Sequence, residues 1–340
     1  MDLDTLRANA QALVAPGKGI LAADESGGTI KKRFDSIKVE STEEQRRAYR
    51  DLLFTAPGVE EHISGVILFD ETMRQSSADG TPFPKLLESK GIIPGIKVDT
   101  GAKPLALSHG DETVTEGLDG LRDRLAEYHA LGARFAKWRA TYTITDEFPS
   151  RYCYEANAHA LARYAALCQE AGIVPIVEPE VLMEGTHTID RASDVTAEAQ
   201  AALFQELHRN HVLFEGVLLK PNMVLAGYGA KSQPSDREVA EHTLRCFGWT
   251  VPAAVPGIVF LSGGQSDEQA TSRLNEMNQL GPHPWQLSFS YGRALQAPAL
   301  KAWKGDPANV AAAQAALIHR AKLNGAARSG SYSAAMEQAA

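Results

Sequence analysis

The segment Gly216-Val217-Leu218-Leu219-Lys220-Pro221-Asn222 places a lysine at the end of an almost wholly apolar run. Apolar walls and nearby cations strip solvation from an ammonium, so its pKa is expected to fall from ~10.4 toward ~7–8, where the free amine attacks carbonyls and forms an imine. A lysine that merely closes a strand and pairs with a carboxylate would look the same in isolation. Two further lysines repeat the pattern: Lys97 in Gly95-Ile96-Lys97-Val98-Asp99, and Lys137 in Arg134-Phe135-Ala136-Lys137-Trp138-Arg139. The strand period of two puts Lys137 and Arg139 on one face. Ile173-Val174-Pro175-Ile176-Val177-Glu178-Pro179-Glu180 ends in two carboxylates that also face one way. The cations thus have counter-charges, and a proton donor is at hand.

Anion-binding chemistry is written in three other segments. Ser262-Gly263-Gly264-Gln265-Ser266 follows an apolar run and precedes a helical pattern. Its glycines let backbone N–H groups face a ligand, and the helix start favours negative charge. A plain Ser-Gly-Gly turn is a common alternative. Ser288-Phe289-Ser290-Tyr291-Gly292-Arg293 ends the next strand-like run, so Ser290, Gly292 and Arg293 join that turn, and phosphate becomes the better reading. Asp24-Glu25-Ser26-Gly27-Gly28-Thr29-Ile30-Lys31-Lys32-Arg33 adds a strand-end carboxylate and a second Gly-rich segment. Two anion sites on opposite rims would suit a substrate phosphorylated at both ends. Lys31, Lys32 and Arg33 also read as an ordinary solvated helix face. The ten histidines form no H-E-x-x-H set, and His208 and His211 read as a surface pair, so no metal and no other cofactor is called for.

Residues so scattered in sequence need a scaffold that gathers strand ends. Eight apolar runs are spaced along the chain: 19–24, 65–70, 95–99, 134–139, 174–180, 216–222, 257–264 and 285–292. Between them, 43–54, 118–131, 155–171, 196–211, 236–247 and 267–280 carry apolar residues at helical spacing, as does 308–324 after the last run. The second gap offers only the short 84–90. Apolar strands alternating with helices imply a parallel eight-stranded (β/α)8 barrel. Asp24, Lys97, Lys137, Glu178, Lys220, Ser262 and Arg293 all fall late in their runs or at their ends, which is the catalytic rim of such a barrel. A doubly wound open sheet is the alternative, but it would draw its site from fewer strands. The expected organisation is one barrel domain over 1–324 and a mobile tail, rich in Ala, Gly and Ser, over 325–340.

The 340 residues, 44% hydrophobic, allow a large core, and a formal net charge of −8 argues against nucleic acid or an anionic membrane as partner. Cys153, Cys168 and Cys246 are odd in number and far apart, which fits a reducing compartment rather than a disulfide framework. The start lacks a basic leader pattern, no stretch approaches the ~18 apolar residues of a membrane span, and the chain reads as soluble.

Taken together, these segments closely resemble class I fructose-1,6-bisphosphate aldolase over nearly the whole length. The resemblance rests on G-K-G-I-L-A-A-D-E-S from Gly17, G-I-K-V-D from Gly95, A-K-W-R from Ala136, I-V-P-I-V-E-P-E from Ile173, L-L-K-P-N-M from Leu218, F-L-S-G-G-Q-S from Phe260 and S-F-S-Y-G-R-A-L-Q from Ser288. It implies a (β/α)8 barrel, a metal-independent mechanism, a cytoplasmic homotetramer of glycolysis and gluconeogenesis, and reversible cleavage of fructose 1,6-bisphosphate. In that family Lys220 matches the Schiff-base lysine, Glu178 the carboxylate that handles protons in imine formation, and Asp24 the acid-base group at the C4 hydroxyl. Lys97, Lys137 and Glu180 match further active-site residues, with Arg139 adding positive potential. Ser262, Gly263, Gly264, Ser290, Gly292 and Arg293 match the phosphate loops, and Ser26, Thr29 and Arg33 sit where the second phosphate is held. The departure is at the C-terminus, where many members end in tyrosine and this chain ends Met336-Glu337-Gln338-Ala339-Ala340, with Tyr332 nearby. Another Schiff-base barrel, such as a transaldolase or keto-acid aldolase, and a barrel kept as a scaffold are the rival readings.

Overall fold

A computed structural model describes residues 2–108 and 111–338. Eight strands form its centre: β1 (Gly19–Ala23), β2 (Ile63–Leu68), β3 (Ile93–Lys97), β4 (Phe135–Tyr142), β5 (Val174–Val181), β6 (Leu218–Leu219), β7 (Gly257–Phe260) and β8 (Gln286–Tyr291). All pair in parallel, each with its neighbours in sequence, and β1 pairs with β8 to close the barrel. All eight apolar runs therefore became strands, and the barrel expected from them is the fold. β6 is shorter than its run: the Lys220 N–H still bonds the Val177 carbonyl at 2.8 Å, but Pro221 has no N–H with which to continue the ladder.

α1 (Leu3–Leu13) lies across the bottom, and helices cover the outside: α2 (Gly27–Ser36), α3 (Glu43–Phe54), α4 (Leu121–Ala130), α5 (Arg151–Glu170), α6 (Ile189–Arg209), α7 (Asp236–Thr250), α8 (Asp267–Gln279), α9 (Arg293–Trp303) and α10 (Val310–Arg328). Their starts are chemically marked. Ser235 and Ser266 form reciprocal capping boxes with Glu238 and Gln269, and Thr42, Ser150 and Thr188 each accept an N–H of the first turn. Sequence periodicity does not pick out α1, α2 or α9, which are short or glycine-led. It also passes over an antiparallel hairpin, Gly101–Pro104 with Thr113–Glu116, whose strands are four residues each and bury only Thr115.

Two layers of core fix which end of the barrel is closed. Between strands and helices lies a continuous apolar shell that includes Trp138, Tyr164, Phe247 and Phe260. Inside the barrel, at the N-terminal ends of the strands, Leu6, Leu13 and Val14 from α1 and its end meet Ile20, Phe135, Ile176, Leu218 and Val259. Glycine makes room for this plug: a Cβ on Gly95 would lie 2.3 Å from the Phe135 ring, and one on Gly257 2.6 Å from Val14. With the bottom filled by hydrocarbon, the polar side chains remain at the C-terminal rim.

The boundary expected at Gly325 falls inside α10, which runs on to Arg328. A Cβ on Gly325 would lie 2.7 Å from the Gly17 carbonyl, so the small residue there serves close helix packing rather than a loose tail. Buried Arg328 donates to the carbonyls of Val14, Ala15 and Lys18, and burial pushes its pKa down to about 10. Beyond it, the Tyr332 N–H bonds Asn275 Oδ1 at 3.0 Å and its hydroxyl donates to Glu337 at 2.7 Å, while Glu337 pairs with buried Arg320 at 2.6 Å.

Candidate active site

The rim residues form a chain of alternating charge across the barrel mouth. Lys220, just past β6, is 4% exposed, and its Nζ lies 3.2 Å from Glu178 Oε1. Glu178 Oε2, on β5, faces Lys137 Nζ on β4 at 3.3 Å as an ion pair without hydrogen-bond geometry. Lys137 Nζ then meets Asp24 Oδ2, after β1, at 2.7 Å. Parallel register explains the clustering: Lys97 is level with Lys137, and Arg139 with Glu178. Lys97 Nζ pairs with Asp99 Oδ1 at 2.8 Å, Asp99 accepts the Arg139 N–H at 3.3 Å, and Arg139 is paired with Glu180.

Burial and charge act in opposite directions on these groups, and charge wins. Burial would raise the pKa of Asp24, but Lys137, Lys220 and Lys97 bring it down to about 2. The same contest in Glu178, with Lys137, Lys220 and Arg139 outweighing burial and the repulsion of Asp24, leaves its pKa lowered. In Lys137 burial favours the neutral amine, yet Asp24, Glu178 and Asp99 hold it as a cation with a raised pKa. Both carboxylates are therefore ionised at neutral pH, and Lys137 is a fixed positive charge between them.

The anion-binding candidates surround this chain. Ser262 is buried, and Gly263 and Gly264 take φ of +56° and +88°, which only glycine adopts easily, before the start of α8. The Tyr228 hydroxyl donates to the Gly263 carbonyl and pins that turn. Arg293 opens α9, and the Ser290 hydroxyl, 1% exposed, has no protein partner. Ser26 precedes α2 without capping it through its side chain, its hydroxyl lying 3.3 Å from that of Thr29, and Arg33 Nε lies 3.1 Å from Glu25 as an ion pair without hydrogen-bond geometry.

The expectation of anion sites on opposite rims is corrected. Because β1 pairs with β8, the loops after β7, β8 and β1 follow one another round the rim, and a Cβ on Gly292 would lie 4.0 Å from Arg33 Nη2. A single cavity of about 890 Å³ is lined by every candidate residue except Gly264, which sits behind the turn against Tyr228 and Arg293. Sequence reasoning missed Glu25, Gln296 and Lys301 as lining residues and left Lys32 open. Lys32 lies one helical turn from Thr29 on α2, and Gln296 and Lys301 lie three and eight residues from Arg293 on α9, two helices that sequence periodicity does not pick out. Lys31 and Lys32 are both exposed; Lys31 is paired with Asp35 at 2.7 Å and does not line the cavity. His208 and His211 are exposed, and among the described residues no three His, Cys, Asp or Glu side chains converge as a metal-holding group.

Comparison with known proteins decides the family. The family model described as fructose-bisphosphate aldolase class-I matches residues 5–340. The chain belongs to the class-I fructose-bisphosphate aldolase family. A protein of Xanthomonas campestris named probable fructose-bisphosphate aldolase class 1 is 59% identical over 98% of this chain and 99% of its own. Fructose-bisphosphate aldolase 6, cytosolic, of Arabidopsis thaliana is 56% identical over 97% of this chain and 92% of its own. The solved fructose-bisphosphate aldolase of Plasmodium falciparum, in complex with TRAP and a small-molecule inhibitor, superposes with a TM-score of 0.96 at 50% identity, covering 97% of this chain and 95% of that one. Membership in the class-I aldolases carries the activity of a carbon–carbon lyase on a phosphorylated sugar. No helix among the described residues is long and apolar enough to cross a membrane.

Proposed function

We propose that the chain reversibly cleaves fructose 1,6-bisphosphate to dihydroxyacetone phosphate and glyceraldehyde 3-phosphate through an imine on Lys220. The observation that carries this reading is the 3.2 Å approach of Lys220 Nζ to Glu178, linked through Lys137 to Asp24. Lys220 gives a proton to Glu178, and its amine attacks the C2 ketone. Glu178 returns that proton to the C2 hydroxyl, which leaves as water, and a cationic imine remains. Asp24, ionised by its lysine neighbours, takes the C4 hydroxyl proton as the C3–C4 bond breaks. The bonding electrons pass to the imine nitrogen, glyceraldehyde 3-phosphate departs, and the enamine is protonated at C3 and hydrolysed. Lys137, held as a cation by Asp24 and Glu178, keeps both carboxylates in place.

Ser262, Gly263, Ser290, Gly292 and Arg293 receive one phosphate, with Gly264 shaping the turn behind them, and Ser26, Thr29, Arg33 and Lys97 the other. Glu180 fixes Arg139. The electron sink is the imine, so no metal is needed. Cytoplasmic placement is supported by relatives named as cytosolic and cytoplasmic; the roles in glycolysis and gluconeogenesis and the homotetramer rest on the family resemblance alone. Borohydride added with dihydroxyacetone phosphate tests the mechanism: it should inactivate the enzyme and leave a reduced adduct on Lys220. An adduct on Lys97 or Lys137 with Lys220 unmodified would overturn the assignment.

A further inference from the structure

A carboxylate stands where a bisphosphate site should least tolerate one. Glu25 lines the cavity with its side chain 6% exposed, beside the loops assigned to phosphate. Its oxygens are divided between two guanidiniums. Oε1 lies 3.1 Å from Arg33 Nε, and Oε2 lies 2.8 Å from Nη2 of Arg50, which comes from α3, is 2% exposed and does not line the cavity. Gln296 of α9 completes the arrangement, with its Nε2 donating to Glu25 Oε1 at 3.0 Å and to the Ala22 carbonyl at 2.6 Å.

Charge counting gives this cluster a purpose. One carboxylate and two guanidiniums leave one net positive charge. Were Arg50 absent, Glu25 and Arg33 would neutralise each other, and a close pair of that kind in a partly buried wall offers little to an incoming anion. With Arg50 committed to Glu25 from behind, Arg33 approaches the carboxylate only as an ion pair at Nε, without hydrogen-bond geometry, and its Nη2 lies 4.0 Å from the position of a Cβ on Gly292.

We infer that Arg50 is a positioning residue for phosphate recognition: it takes the Glu25 carboxylate from behind the cavity wall and leaves the charge and Nη groups of Arg33 to the substrate. This rests on the bisphosphate reading above. Gln296 holds the carboxylate through its Nε2 bond to Oε1.

The test is steady-state cleavage of fructose 1,6-bisphosphate by the full chain, with inorganic phosphate as a competitive inhibitor. In Arg50→Met, KM and the phosphate inhibition constant should both rise about tenfold, the lower range for losing a charge-assisted bond, with kcat within about threefold. Glu25→Gln/Arg50→Met should return both constants to within about threefold of wild type, because a neutral amide no longer captures Arg33. A purely structural Arg50 would leave the double variant as weak as the single one. Folded Arg50→Met with unchanged constants, or a double variant without recovery, would overturn the inference. If Arg50→Met does not fold, Arg50→Lys is read the same way, as a smaller rise removed by Glu25→Gln against no rise. Wild-type protein that fails to cleave the bisphosphate would instead overturn the reading on which the inference rests.

Discussion

Asp24 shows how a single side chain is set for its task by its neighbours. Its pKa of about 2 is the outcome of burial, which raises it, against Lys137, Lys220 and Lys97, which lower it further. A depressed carboxylate contributes stability that is fully present above its unfolded pKa near 3.9 and is lost as pH falls through about 2. Asp24→Asn should therefore flatten the loss of urea resistance between roughly pH 4 and pH 2. At neutral pH the same variant should lose about a hundredfold or more in cleavage rate, as expected for removal of a general base. A variant whose pH–stability curve matches wild type would remove Asp24 from the charge chain. Arg293→Ala is a different kind of change, because it deletes a charged donor to phosphate worth about 1.5–3 kcal/mol. KM for the bisphosphate should rise roughly ten- to a hundredfold with a smaller effect on kcat. An unchanged KM would place the phosphate elsewhere.

At the scale of elements, the barrel works because its two ends differ. Helix α1 and glycine-spaced strands fill the bottom with apolar side chains, so the charged groups of β4 and β5 face solvent only at the top. Gly95 sits at the tightest point of that plug, with the Phe135 ring 2.3 Å from where a Cβ would be. Gly95→Ala should destabilise the fold by about 1–3 kcal/mol through overpacking, seen as a lower urea midpoint at unchanged slope. Because Lys97 lies two residues further along the same strand, a shift of β3 should also appear as a higher KM. A neutral effect on both would mean that Phe135 has room to turn aside.

At the scale of the whole molecule, the C-terminal segment closes on the outside of the barrel through Tyr332, Glu337 and Arg320. Tyr332 does not line the cavity, and its hydroxyl is committed to Glu337. Removing residues 330–340 should therefore leave cleavage and tritium exchange at C3 of dihydroxyacetone phosphate within a few-fold of the full chain. It should also lower the melting temperature, because buried Arg320 loses its carboxylate at a cost of about 1–3 kcal/mol. A large fall in exchange with single-turnover cleavage intact would return Tyr332 to the chemistry, and Tyr332→Phe would then separate the hydroxyl from the ring.

Much of the barrel is local in origin. Apolar runs such as 174–180 and capped helices such as Asp236–Thr250 follow from periodicity and end signals that a sequence carries residue by residue. The lateness of Lys137, Glu178 and Lys220 in their runs was legible for the same reason. What only the tertiary structure decided is everything set by closure and by partners remote in sequence. The pairing of β1 with β8 makes the first and last loops neighbours, which no reading in chain order reveals. Arg50 reaches Glu25 from a separate helix, and Gln296 reaches it from 271 residues away. The Ala- and Gly-rich end reads as loose until α10 is seen packed on Gly17, because small residues signal both mobility and close approach. Local pattern fixes which residues can do the chemistry, whereas charge state and contact depend on distances that exist only after the chain has closed on itself.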